Sequence, residues 1–494
     1  MRILFVSSEA YPLIKTGGLA DVSGSLPAAL RGLGADVRLL IPGYSAVLAK
    51  LKHSQRVASI EQLPIIGSAT LIMGEMPDTG VPVLAIDCPS LYQRSGGPYM
   101  DASGRDWEDN PLRFGTLSRV AALLSCSGSP LSDWLPDIVH CNDWQSGLTP
   151  AFMHYMGTSH MGTSHTEMRR AKSVMNIHNL IFQGYYPAEW VSRLGLPAES
   201  YHMNGVEYYG QMSFLKAGIY FADSITTVSP TYAHEIQTDE YGFGMQGLLA
   251  SRAHEIHGIL NGIETTEWDP ARDPHLAKPY DIEHLAGKKS VKKALQTRLG
   301  LATDATAPLL GVVSRLTSQK GLDMLLATAE PLMQQGCQMA VLGGGEVELE
   351  DGFKQLAQRY PLQVGVTIGY NEPLSHQIMA GADIFIMPSR FEPCGLNQMY
   401  GLRYGTPPVV TNTGGLADSV QDTNTDSLRD GTATGFVMQQ PNQQQLLASV
   451  QRALDYYHEP ELWRQIQRNG MRRDLGWDKS ARAYLDIYTS LIQA

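Results

Sequence analysis

The sequence predicts an α/β protein built as two doubly wound parallel sheets, and three observations lead there. Its 494 residues exceed the roughly 250–300 at which a single hydrophobic core stops growing, so two domains are expected. Short apolar runs bounded by Gly, Pro or Asn alternate with longer helical stretches, the pattern of parallel strands covered on both faces. Polar and charged residues follow several of these runs at once, at the strand ends where a doubly wound sheet holds its ligands.

The strands are taken in chain order. In the first half the runs are ILFVSS, VRLLIP, DIVH, SVMNIH, SITTVS and GILNGI; in the second they are LLGVVSRL, MAVLGGG, VGVTIGY, IFIMPS and PPVVTN. Ser7 to Gly18 follow the first strand, His140 to Trp144 follow DIVH, His178 and Asn179 follow SVMNIH, and Arg315 to Lys320 follow GVVSRL. The passage from Trp268 to Leu301, rich in Pro, Asp and Lys, reads as the crossing between two Rossmann-like halves. From Trp477 the apolar residues Tyr484, Ile487, Tyr488 and Leu491 recur at helical spacing, so the chain closes on a helix free to pack on either half.

Composition narrows the function classes. Hydrophobic residues make up 43% and charged residues 18%, as in ordinary globular proteins. A formal net charge of -11 argues against nucleic acid, whose binding needs a basic face that repays counterion release. The opening apolar run is too short for a signal-peptide core, and no stretch approaches the roughly 20 apolar residues of a membrane helix. Five scattered cysteines without a C-x-x-C pair suit reduced thiols and give no zinc signature. A cytoplasmic protein with no membrane partner is expected.

Two repeats stand out. MGTSH occurs at Met156 to His160 and again at Met161 to His165, and this duplication reads as a loop insertion; His160 and His165 have no Cys or carboxylate cluster beside them, so no metal is expected there. Thr16-Gly17-Gly18-Leu19-Ala20-Asp21 returns as Thr413-Gly414-Gly415-Leu416-Ala417-Asp418, each copy after a predicted strand and opening a predicted helix. Paired glycines there let backbone approach a ligand, and the helix start offers N–H donors, so two anion-ready termini are expected. A tight turn is the alternative.

Arg315 and Lys320 place two cations on a strand-end loop, where they can neutralise a phosphate leaving group or merely form surface ion pairs. Glu392 projects from the turn Ser389-Arg390-Phe391-Glu392-Pro393-Cys394-Gly395-Leu396, suited to sugar hydroxyls or an oxocarbenium-like centre, or left as a surface glutamate. His178 reads as a satisfied strand-end histidine or a sugar ligand, and Asp143 as a helix N-cap or a sugar ligand.

These segments together resemble the glycogen and starch synthases. The resemblance rests on Lys15 to Val22, His140 to Gln145, Asn176 to Leu180, Ile259 to Ile263, Arg315 to Gly321, Pro388 to Leu396 and Thr413 to Asp418, all in the family's order. It implies a GT-B fold, two Rossmann-like domains facing a deep cleft. The boundaries are 1–265 for an acceptor-side domain, 266–476 for a nucleotide-sugar domain, and 477–494 for a helix crossing back.

The implied reaction transfers glucose from ADP-glucose to an α-1,4-glucan with retention, without cofactor or metal. By the same resemblance Glu392, Lys320, Arg315, His178 and Lys15 are catalytic. Gly17, Gly18, Asp143, Asn261, Tyr370, Cys394, Gly395, Leu396, Thr413, Gly414 and Gly415 bind substrate, with Tyr370 stacking on the base. This chain departs from related retaining transferases in having Tyr400 in place of a second glutamate, and Asn397 stands where many bacterial synthases have Thr.

A nicotinamide oxidoreductase needs Gly-x-Gly-x-x-Gly after the first strand, where this chain has adjacent glycines. A phosphorylase needs a pyridoxal-phosphate lysine, which no motif singles out. A nucleotide-sugar epimerase of the same fold and a non-catalytic glucan-binding protein are separated from the synthase by whether glucan is extended.

Overall fold

The computed structural model describes residues 1–159 and 169–493. They form two compact units: Met1–Asn261 together with the chain end from Trp477, and Gly262–Gly476. Among the described residues no helix is long and apolar enough to cross a membrane. His160, His165 and the second MGTSH copy lie outside the described residues. The first copy does not begin a loop: Met156 to Ser159 complete the helix Thr149–Ser159.

The strands of the first unit are β1 (Arg2–Val6), β2 (Asp36–Pro42), β3 (Lys52–Leu63), β4 (Gly67–Glu75), β5 (Pro82–Asp87), β6 (Ile138–Asn142), β7 (Lys172–Ile177), β8 (Tyr185–Pro187), β9 (Glu207–Tyr208), β10 (Gln211–Ser213), β11 (Ser224–Thr227) and β12 (Ile256–Gly258). Nine of them make one sheet in the order β12-β11-β7-β6-β1-β2-β5-β4-β3. The seven from β12 to β5 run parallel. Ile3, Leu4, Phe5 and Val6 are fully buried, as expected of a central strand covered on both faces. The helix Gly18–Gly32 buries Leu19, Val22, Leu26 and Leu30, one face at helical spacing.

The sheet is not wholly parallel. β4 runs antiparallel to β5, and β3 to β4. The β3 sequence KHSQRVASIEQL has no apolar run and is exposed on most positions, so it lacks the signal that marks a buried strand. The run GILNGI is also corrected, since only Gly258 lies in a strand. A Cβ at Gly258 would stand 2.4 Å from the Ser229 carbonyl, and beyond it the run continues as coil.

The closing helix Trp477–Gln493 buries Trp477, Ser480, Ala481, Tyr484 and Tyr488. It packs within the first unit, where the Tyr488 hydroxyl meets His140 Nδ1 at 2.8 Å. His140 stacks on Phe5 at 4.7 Å, and burial pushes its pKa down to about 3, so the ring is neutral. Tyr488→Phe strands that ring nitrogen and is expected to cost about 1–2 kcal/mol, read as a lowered denaturation midpoint of the full chain; an unchanged midpoint contradicts the hydrogen bond's weight.

The second unit has β13 (Leu309–Val313), β14 (Gln338–Gly343), β15 (Val364–Ile368), β16 (Ile384–Met387), β17 (Pro408–Thr411) and β18 (Phe436–Met438). The order is β15-β14-β13-β16-β17-β18, all parallel. This is the doubly wound order, with its direction of winding reversed between β13 and β16. The helices Glu372–Gly381 and Gln443–Tyr457 start at Asn371 and Asn442, whose side chains accept from Leu374 and Gln445 N–H. The passage from Trp268 belongs to this unit, and its helix Ala286–Arg298 buries Val291 and Leu295.

Candidate active site

In the first unit the winding reverses between β1 and β6, and the loops that follow these strands carry the predicted residues. Lys15 is exposed, with Nζ 2.7 Å from Asp21 Oδ1 and 5.2 Å from the Tyr11 ring centroid. Asp143, at the end of β6, has a left-handed backbone with φ 52°, a strain that persists where the surroundings over-determine it. It does not cap the short helix that follows. Its Oδ1 instead accepts from the His178 and Asn179 backbone N–H groups at 2.7 and 3.3 Å, tying the β6 end to the β7 end. Burial, with a smaller push from the nearby Glu9 charge, outweighs the downward pull of these bonds and raises the Asp143 carboxyl to about 7.

His178 is held neutral, its pKa pushed down to about 3 by burial. Its Nε2 lies 2.8 Å from Asn142 Oδ1 and 3.0 Å from Asn176 Nδ2, and these two asparagines orient the ring. Asn261 is buried, and its amide oxygen has no hydrogen-bond partner among the described residues. A buried unsatisfied acceptor costs about 1–3 kcal/mol, which a ligand hydroxyl can recover.

In the second unit the two predicted loops meet at the switch point. Lys320 Nζ lies 2.5 Å from Glu392 Oε2, and Ser389 Oγ donates to the same oxygen at 3.0 Å. The Arg390 guanidinium grips Asp323 with two bonds of 2.7 Å and also reaches the Ser318 carbonyl, locking the turn after β16 to the loop after β13. Gly321 makes the approach possible: its φ is 70°, and a Cβ there would stand 2.1 Å from the Pro388 carbonyl. Arg315 is exposed, and its guanidinium has no protein partner among the described residues. Asn397 spends its amide on the Val313 carbonyl at 2.6 Å. Cys394 is buried in the turn, and Tyr370 stands 76% exposed after β15.

The two copies of the hexapeptide are used differently. In the first copy Gly17 and Gly18 have open space where a Cβ would sit, and the Thr16 and Gly17 N–H groups are taken by the Glu9 carboxylate at 2.5 and 3.3 Å. In the second, a Cβ at Gly414 would stand 2.0 Å from the Glu392 carbonyl and one at Gly415 2.2 Å from that of Cys394. The Gly415 N–H is shared between the Glu392 and Pro393 carbonyls, and the Leu416 and Ala417 N–H groups bond Thr413. Of these donors, the Thr16, Gly17, Gly415, Leu416 and Ala417 N–H groups therefore serve the protein itself. The second pair of glycines seats the helix Gly414–Ser419 against the Glu392 turn.

Glu9 and Tyr99 were missed. Glu9 follows Ser7 and Ser8 directly at the β1 end, and a carboxylate in that position is the signal that would have found it; Tyr99 lies in an irregular stretch with none. Among the described residues the one group of His, Cys, Asp and Glu close enough to share a cation is Glu267, Glu372 and His376, with ligand atoms within 4.8 Å. On one side His376 is committed to Asp273 at 2.8 Å, and Glu372 accepts from the Tyr370 hydroxyl at 2.7 Å.

Two doubly wound units, the second with a cation–carboxylate pair at its switch point, define a glycosyltransferase of the GT-B class, and residues 297–473 match the family described as glycosyl transferases group 1. Residues 2–251 match the starch synthase catalytic domain, and the chain belongs to the glycogen and starch synthase family. It is 52% identical to a glycogen synthase of Nitrosomonas europaea, over 100% of this chain and 98% of the relative. It is 50% identical to one of Dechloromonas aromatica, over 100% and 99%. The catalytic domain of starch synthase IV from Arabidopsis thaliana, solved bound to ADP and acarbose, aligns with a TM-score of 0.88 at 30% identity, over 100% of this chain and 99% of that one. A sucrose-phosphate synthase from Thermosynechococcus elongatus, 15% identical with a TM-score of 0.57 over 100% of this chain and 99% of that one, shares the fold alone.

Proposed function

We propose that the chain is a retaining glucosyltransferase that moves glucose from ADP-glucose onto the non-reducing end of an α-1,4-glucan such as glycogen, and we assign it to the cytoplasm. The observation that carries the reading is the Lys320–Glu392 pair at the switch point of the second unit, in a chain alike over its full length to glycogen synthases. The ADP in the Arabidopsis relative supports adenine as the base.

In this reading Arg315 and Lys320 neutralise the diphosphate as it leaves, and Glu392 accepts from glucose hydroxyls. Gly395, Leu396, Thr413, Gly414 and Gly415 line the phosphate and sugar path, with Cys394 as a positional member of the turn. Tyr370 stacks on the base. From the first unit Lys15, Gly17 and Gly18 act on the donor, while His178, Asp143 and the unsatisfied Asn261 oxygen serve sugar hydroxyls. The bond from the glucose anomeric carbon to the diphosphate oxygen breaks, and a bond to the acceptor's 4-hydroxyl oxygen forms on the same face. The hydroxyl proton passes to the departing phosphate, which leaves as ADP.

The test is incorporation of labelled glucose into glycogen from ADP-glucose and, in parallel, from UDP-glucose. Faster transfer from ADP-glucose is expected. Transfer only from UDP-glucose overturns the base assignment, and none from either sinks the transferase reading and brings the epimerase or the glucan binder forward.

A further inference from the structure

We propose that Glu9 is the positioning residue of the Lys15–Gly18 loop, holding its backbone from beneath so that Lys15 meets the donor in one geometry. This rests on the glucosyltransferase reading for what Lys15 does, and on the structure for what Glu9 holds.

The Glu9 carboxylate is 3% exposed, and burial raises its pKa. A buried carboxylate is costly unless its oxygens are hydrogen-bonded, and here the donors come from two places. From the loop, the Thr16 N–H donates at 2.5 Å, the Gly17 N–H at 3.3 Å, and the Thr16 hydroxyl lies 2.9 Å from both oxygens. From the irregular stretch before Asn110, the half-buried Tyr99 donates its hydroxyl to Oε1 at 2.8 Å. Tyr99 is itself tied to Ser8 Oγ at 2.8 Å, and its carbonyl accepts from Asn110 at 3.0 Å. Glu9 thus links the Lys15–Gly18 loop to Tyr99 and, through it, to Ser8 and the buried Asn110.

Lys15, Thr16, Gly17 and Gly18 are all exposed, and no atom lies within 4 Å of where a Cβ would stand at either glycine. Two glycines without packing carry a large conformational freedom. The other restraints are the backbone pair between Ala10 and Ile14, the Lys15–Asp21 ion pair, the Lys15 ammonium over the Tyr11 ring, and the Gly17 carbonyl, which accepts from the Ala20 N–H at 3.2 Å where the helix Gly18–Gly32 begins; none of them holds the Thr16 and Gly17 N–H groups. Glu9 bonds the two amides that separate Lys15 from Gly18, so it acts through the loop and need not touch substrate.

Glu9→Gln keeps the volume and turns an acceptor into a donor facing an N–H, while Glu9→Asp keeps the charge and draws it back by one methylene. Misplacing a reactive group by about 1 Å costs roughly a hundred-fold in rate. Glu9→Gln is therefore expected to lower kcat by about ten- to a hundred-fold with donor KM changed less, and Glu9→Asp to recover part of the loss. Most of the Glu9→Gln cost should vanish in a Lys15→Ala background, where there is little left to position.

Hydrogen exchange on the full chain reads the proposal without activity. The Thr16 and Gly17 amides should exchange at least about ten-fold faster in Glu9→Gln than in the native chain, with β1 unchanged. Unchanged exchange at these amides, or kcat losses that multiply fully in the Lys15→Ala background, overturns the proposal. If Glu9→Gln fails to fold, the same exchange and rate measurements on Glu9→Asp decide it, and faster loop exchange with an unshifted melting temperature supports it. A native chain that transfers no glucose sinks the transferase reading alone, because the exchange result still decides the role of Glu9.

Discussion

Glu392→Ala lowers glucosyl transfer by about a hundred- to a thousand-fold, the expected loss of about 3–4 kcal/mol when one preorganised charged group leaves a reacting centre. The effect has two parts. Glu392 is lost as an acceptor for the transferred sugar, and Lys320, only 15% exposed in its side chain, keeps its charge without its carboxylate partner. Lys320 then drifts from the position in which it meets the diphosphate. Glu392→Gln separates the parts, since it preserves shape and one acceptor while removing the charge. The measurement is kcat and donor KM for labelled glucose transfer. Retention of more than a tenth of the native rate in Glu392→Ala shows that the switch-point pair is structural and sinks the assigned role.

Gly415→Ala is the second large effect, and it follows from backbone packing. A Cβ at Gly415 would stand 2.2 Å from the Cys394 carbonyl oxygen, 2.5 Å from its Cα and 2.6 Å from its carbonyl carbon. None of these atoms belongs to a side chain that can rotate away, so either the helix Gly414–Ser419 or the Glu392 turn must move. Overpacking of this kind costs about 1–3 kcal/mol or more of stability, and a shift of about 1 Å at Glu392 costs roughly a hundred-fold in rate. Both losses are expected together, read by thermal unfolding and by transfer assay. Gly17→Ala in the other copy is the control. Its Cβ meets nothing within 4 Å and its φ is −153°, so the melting temperature should stay within about a degree of the native chain. Equal destabilisation by the two substitutions contradicts the different uses of the hexapeptide.

Much of the fold was legible because buried parallel strands write themselves as short continuous apolar runs. ILFV, VRLLIP, SVMNI, LLGVV, VGVTI and IFIM all became strands, and the motif residues after them stand at strand ends. The exposed edge strand β3 and its antiparallel neighbour β4 were not legible, since antiparallel strands are marked by partial alternation that polar residues obscure. β8, β9 and β10 span only two or three residues each, too few to show a period. The strand expected in GILNGI shows the reverse error: the ladder with β11 ends at Gly258, and a run of the right composition continues as coil.

The sequence by itself determined the doubly wound class, the strand-end placement of Arg315, Lys320 and Glu392, and, through motifs in family order, the synthase resemblance. These are properties of local composition and chain order, and they survive without knowledge of any contact. What the tertiary structure decided is which donor meets which acceptor. The two copies of Thr-Gly-Gly-Leu-Ala-Asp are identical as text. One hangs from a buried carboxylate with space around its glycines, and the other is pressed against the Glu392 turn with no room for a methyl group. Asp143 reads as a helix cap until its oxygen is seen on the His178 and Asn179 amides instead. Hydrogen bonds to backbone depend on distances between segments remote in sequence, such as the 90 positions that separate Glu9 from Tyr99, and only the folded chain sets those distances.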